Sequence, residues 1–91
     1  MIHVVKITAN VEKNLHKVPL PIKKMLFTWV AAVEERGLHE TRKIPGYHDE
    51  PLKGERKGQR SIRLNRAYRA IYVETAAGLH ITVIEVNKHE Y

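Results

Sequence analysis

The side chains able to do chemistry are gathered in the second half of the chain and at its end. His48, Asp49 and Glu50 stand in a row. Lys53, Arg56 and Lys57 follow, then Arg60, Arg63 and Arg69, and the sequence closes on His89 and Tyr91. A carboxylate, imidazoles, a phenol and guanidinium groups together suit cleavage of an RNA phosphodiester without a metal ion. The nucleophile in that reaction is the substrate's own 2′-hydroxyl, the group that distinguishes RNA from DNA. Its proton needs a base, for which Glu50, His48 and a neutral His89 are candidates. The departing 5′-oxygen needs an acid. His89 fits, because imidazole titrates near neutral pH. Charge that builds on the phosphate oxygens calls for a fixed fork of donors, which Arg69 with Arg63 or Lys53 can supply. Tyr91 can stack on a base or hydrogen-bond the phosphate. The expected products are a 2′,3′-cyclic phosphate and a 5′-hydroxyl, and no cofactor is required.

These residues need elements to bring them together. Residues 2–7, IHVVKI, are β-branched and read as a strand. Thr8 or Asn10 can cap a short helix over 9–18, where Val11, Leu15 and Val18 recur at helical spacing and Pro19 ends the run. Pro21 opens a second helix over 20–36, with Ile22, Leu26, Trp29, Val30 and Val33 on one stripe and Arg36-Gly37 as its stop. Trp29 on that stripe is expected in the core. Residues 38–58 read as a long polar loop, anchored by Ile44 and Leu52, and long ordered loops are often functional.

From Gln59 the pattern is strand-like. Ser61 and Arg63 alternate with Ile62 and Leu64, so one face goes to the helices and the other carries charge. Asn65-Arg66 turns the chain into a strand from Tyr68 to Val73. A turn over 75–78 leads to the last strand, Leu79 to Val86, whose Val83-Ile84 pair implies partial cover on both faces. The expected fold class is α+β: a small antiparallel sheet in the order strand–helix–helix–strand–strand–strand, with a helical hairpin on one face. Residues 1–91 form one domain. Arg69 inside a strand is the odd charge. Its plain reading is a solvated outer face or a cross-strand pair with an acid such as Glu85. Its functional reading is a cation held in a shallow groove between loop, middle strand and C-terminal residues.

Composition narrows the classes. Sixteen Lys and Arg against ten Asp and Glu give a net charge of +6, which favours a phosphate-bearing or acidic partner. The absence of cysteine removes thiolate chemistry, disulfides and Cys-based zinc sites. His39, His48 and Asp49 lack HxxxH or HxH spacing, so no metal site is expected. GERKG at 54–58 lacks the spacing of a phosphate-binding loop. The charged start, MIHVVKITANVEKN, does not read as a secretory leader, and no apolar run reaches the ~20 residues of a membrane span. A cytoplasmic protein is expected.

The segment EPLKGERKGQRSIRLNRAYRAIYVE, residues 50–74, with the terminal VNKHEY, resembles the RelE/ParE superfamily of bacterial toxins, near the HigB-type plasmid maintenance killer proteins. The resemblance implies the toxin of a type II toxin–antitoxin system. Such a toxin is a ribosome-dependent mRNA endonuclease neutralised by a cognate antitoxin. Carried over residue by residue, it gives Glu50 before Pro-Leu-Lys, Arg69 in the Tyr-Arg motif, Arg63 in the preceding strand, and His89 and Tyr91 as site residues. The resemblance to HigB-like members adds His48 and Lys53. Lys53, Arg56, Lys57, Arg60 and Arg63 would bind RNA and the ribosome. The HigB-type ending Asp-Tyr-His is here Asn87-Lys88-His89, and Glu90 separates the histidine and tyrosine that are adjacent in YoeB-like members. Two alternatives accompany this reading: a ParE-like inhibitor of DNA gyrase, and a non-catalytic basic module that binds RNA or protein.

Overall fold

A computed structural model of the chain describes residues 3–75 and 80–88. Strand β1 (Val4–Ile7) is followed by helices α1 (Ala9–Leu15), α2 (Leu20–Arg36) and α3 (Leu38–Arg42). Strands β2 (Glu50–Pro51), β3 (Gln59–Arg63), β4 (Tyr68–Thr75) and β5 (His80–Lys88) complete the order. The sheet runs β1-β5-β4-β3-β2. β1 lies parallel to β5, with Val4 beside His80 and Ile7 beside Val83. The other neighbours are antiparallel. The α+β class and its element order are as expected, with one strand and one helix more.

Both additions fall in the segment read as loop. Gly37 takes φ 85, ψ 158, a region closed to residues with a Cβ, and so breaks α2 and redirects the chain. A Cβ there would also lie 3.0 Å from the His3 ring. α3 then buries Leu38 and Thr41, and the Thr41 hydroxyl donates to the Gly37 carbonyl at 2.8 Å. Five residues are too few to show helical periodicity. β2 is shorter still. Its Glu50 pairs with Ser61 and its Pro51 with Arg60 at the sheet edge, where a missing N–H is tolerated. Ile44 is partly buried against the core, as expected of an anchor, and Tyr47 is a second, deeper anchor.

The two longer helices follow their patterns. Thr8 Oγ1 accepts from the Val11 amide at 3.2 Å and caps α1. The helix stops at Leu15, earlier than the spacing predicts, although Val18 stays buried. α2 occupies residues 20–36 as predicted and buries Ile22, Leu26, Trp29 and Val33. These join Ile62, Ala70, Tyr72, Ile81, Val83 and Val86 of the sheet in one core. Trp29 is fully buried and packs on Tyr72 with ring centroids 5.1 Å apart.

The Val83-Ile84 pair has a different cause from the one predicted. Ile71 pairs with Glu85 but Tyr72 with Val83, so Ile84 is an extra residue, a β-bulge. Ile81 and Val83 face the core before the bulge and Val86 after it. The inserted residue resets the alternation and sends Glu85 and Asn87 to the face away from the helices. Of the turn expected over 75–78, Thr75 instead ends β4, and residues 76–79 lie outside the described residues.

Candidate functional site

Alternation along β3 and β4 puts Ile62, Ala70 and Tyr72 in the core and leaves Ser61, Arg63, Arg69 and Ile71 on the opposite face. Arg63 and Arg69 are direct register partners. Like charges opposite one another destabilise a strand pair, so this placement works against the fold unless an anion joins them. Arg69 is half-buried, and its Nε is dehydrated without a hydrogen-bond partner among the described residues. A buried guanidinium donor left open in this way needs an acceptor.

A cleft surrounds the pair, lined by His48 and Glu50 from one side and Asn65, Arg66 and Tyr68 from the other, with Ser61 at its base. Two local structures build the walls. Asn65 Oδ1 accepts from the Ala67 amide at 2.8 Å and the Tyr68 amide at 2.7 Å, which closes the β3–β4 turn and sets Arg66 at the rim. On the other wall, a 3-10 turn at Pro45–Tyr47 ends on His48, which adopts the left-handed conformation with φ 45. His48, Glu50, Arg63 and Arg69, singled out in the sequence, therefore share one cleft. His89 and Tyr91 lie outside the described residues.

The remaining cations divide. Lys53 and Lys57 are exposed. Arg56 bonds the Glu85 carboxylate and donates to Gln59 Oε1 at 2.9 Å. Arg60 Nε donates to Asp49 Oδ1 at 2.6 Å. Both guanidiniums thus have partners within the fold. Glu85, the acid considered for Arg69, accepts instead from Arg56 and, at 3.2 Å, from Asn87 Nδ2.

Two features escaped the sequence reading. Arg66 completes an Arg-x-x-Arg-x-x-Arg spacing across a turn, which would have exposed it. Asp49 sits between two cleft residues yet points the other way, and nothing in its neighbours announces that. Among the described residues no group of three His, Asp or Glu side chains could hold a metal ion, and no helix is long and apolar enough to cross a membrane.

No protein-family model and no curated protein sequence matches the chain. Its fold is that of a set of small bacterial and archaeal proteins of known structure. It is similar to a chain of the archaeal RelE–RelB complex from Pyrococcus horikoshii, with a TM-score of 0.74 and 22% identity over 97% of this chain and 96% of that one. It is similar to YafQ from E. coli, with a TM-score of 0.71 and 16% identity over 96% and 93%. It also matches a chain of the YoeB–YefM complex from Staphylococcus aureus, with a TM-score of 0.70 and 17% identity over the full length of both. At such identities the likeness establishes a shared fold. The finer HigB-type resemblance rests on the sequence motifs.

Proposed function

We propose that this chain is the toxin of a type II toxin–antitoxin pair and acts in the cytoplasm as a ribosome-dependent mRNA endonuclease. The observation that carries the reading is the facing pair Arg63 and Arg69, with its open Nε, on the cleft that also holds His48 and Glu50. The fold shared with RelE, YafQ and YoeB proteins supports it, and two of those were solved as complexes with RelB and YefM, which supports a cognate antitoxin here.

In the proposed reaction Glu50 or His48 takes the proton of the 2′-hydroxyl. The O2′–P bond forms, the P–O5′ bond breaks, and the 5′-oxygen takes a proton from an acid, the role assigned to His89 on sequence grounds. Arg69 and Arg63 bind the oxygens on which charge develops, a contribution strongest in the transition state. Tyr91, also on sequence grounds, stacks on a base or bonds the phosphate. Arg66, Lys53 and Lys57 meet neighbouring phosphates of mRNA and rRNA. The ribosome presents the strand, so the protein needs little reading of base edges.

The test is to induce the chain in a bacterium and map transcript 5′ ends, beside an Arg69→Ala control. New ends within translated codons, absent in the control, are the expected result. Intact mRNA with supercoiling defects would transfer the protein to the gyrase-inhibitor reading. Intact mRNA without such defects would leave a binding module.

A further inference from the structure

We infer that Asp49 is a positioning residue, a buried peg that aims His48 and Glu50 into the cleft; the inference rests on the nuclease reading for its activity assay but not for its geometry. The Asp49 side chain is 1% exposed. Its Oδ1 accepts from Arg60 Nε at 2.6 Å and its Oδ2 from the Tyr72 hydroxyl at 2.5 Å. Tyr72 in turn accepts from Arg42 Nε at 3.4 Å, and Arg42 pairs with Glu74 at 2.5 Å. A chain of polar groups thus ties α3, β3 and β4 to the segment between two cleft residues.

The direction of each side chain makes the case. Tyr47 goes into the core, His48 to the cleft, Asp49 inward, Glu50 to the cleft. Burying a carboxylate is costly unless both oxygens are bonded, and here both are. An apolar side chain at this position could fill space without that cost. Two bonds to groups fixed in the sheet add direction: they set the rotation of the segment about its own axis, and so the aim of residues 48 and 50. His48 is in the left-handed conformation, uncommon for a non-glycine residue although histidine adopts it more readily than most. Placement errors near 1 Å cost about a hundredfold in rate, so the peg matters to turnover more than to ligand binding.

Arg60 then belongs to the peg rather than to the RNA surface, which separates this inference from an electrostatic role.

The experiment compares wild type with Asp49→Asn, Tyr72→Phe and Arg60→Lys on bacterial ribosomes programmed with a defined mRNA. Tyr72→Phe keeps the ring on Trp29 and removes only the hydroxyl, so it is the least disruptive of the three variants. Expected are at least a tenfold loss of cutting at saturating ribosomes for Asp49→Asn and several-fold for Tyr72→Phe. Arg60→Lys, which keeps its charge but loses Nε, should fall with them. Apparent ribosome affinity should stay within threefold for all of them. Amide exchange at His48 and at Leu52, whose N–H bonds Gln59, should rise at least tenfold in folded Asp49→Asn. Wild-type cutting in folded Asp49→Asn, or affinity falling in step with cutting, overturns the peg. If the wild type itself cuts nothing, the nuclease reading falls and the exchange data alone decide: unchanged exchange overturns the peg and faster exchange supports it.

Discussion

At the scale of single residues, two local rules are broken and both breaks sit on one cleft. Arg63 faces Arg69 across the ladder, and Arg69 Nε is buried without a partner among the described residues. Local rules fail most often where function demands it. The consequence is an opposition between stability and activity. Arg69→Ala should cut transcript cleavage by about 10²–10³-fold, the loss seen when one donor to a developing oxyanion is removed. The same variant should melt no lower than wild type, because it removes a like-charge pair worth some tenths of a kcal/mol. Arg69→Lys should recover little cleavage, since a point charge cannot replace the fork. Cleavage by primer extension and melting by circular dichroism check the two halves. A loss of melting temperature in step with cleavage would mean that Arg69 is a structural residue. Arg63 and Arg69 were legible in the sequence because their strands were, and Glu50 because a carboxylate stands in a polar loop before a Pro-Leu-Lys motif. Asp49 was not, because the destination of a loop carboxylate depends on Arg60 and Tyr72, eleven and twenty-three positions away.

At the scale of elements, legibility tracked length. α2 carries four buried positions on one stripe over seventeen residues and was read to its ends. α3 and β2 have five residues and two, and are fixed by tertiary pairing. The bulge at Ile84 was visible as a break in alternation but has two readings, and register against β4 decides between them. The junction at Gly37 is the element-scale position most exposed to mutation. Gly37→Ala should destabilise by about 1–3 kcal/mol from backbone strain alone, with the His3 contact adding to it. Urea unfolding of Gly37→Ala and of Gly37→Ala with His3→Ala separates the parts, since the double variant should recover the contact and keep the strain. Full recovery would show that φ 85 carries no cost. Tyr72 sets a pH limit on the same sheet. Burial first, and the Asp49 carboxylate second, push its hydroxyl well above the ordinary tyrosine range. A folded value raised above the unfolded one means that the group's stability is complete below the unfolded pKa of about 10. It is lost as pH rises from there through the folded value. Alkaline unfolding should therefore start above pH ~10, and the loss of stability with pH should be shallower in Tyr72→Phe, as urea unfolding followed by circular dichroism across an alkaline series would show.

At the scale of the whole molecule, the net charge of +6 understates how unevenly the cations are used. Arg42, Lys43, Arg56 and Arg60 are held in ion pairs with Glu74, Glu40, Glu85 and Asp49. Arg63, Arg66 and Arg69 line the cleft, and Lys53 and Lys57 are exposed. Three cations outside those pairs converge on one depression, while Lys6, Lys13, Lys17, Lys23, Lys24, Arg36 and Lys88 lie on other parts of the chain. A phosphate-bearing partner bound by that charge releases counterions, and the logarithm of its affinity falls linearly with the logarithm of salt. Each phosphate contact contributes about 0.7–0.9 to the slope. Replacing Lys53 and Lys57 together by alanine should lower the slope of ribosome association by about 1.4–1.8. Turnover at saturating ribosomes should hold, because neither residue lines the cleft. Arg56→Ala should change the slope by less than half as much as either lysine, and should lower the melting temperature instead, because its guanidinium already faces Glu85. Filter binding across a salt series measures all of these. An Arg56→Ala slope change equal to that of a lysine would show that the ion pair opens on the ribosome, and that the fold gives up one of its ties to gain a phosphate.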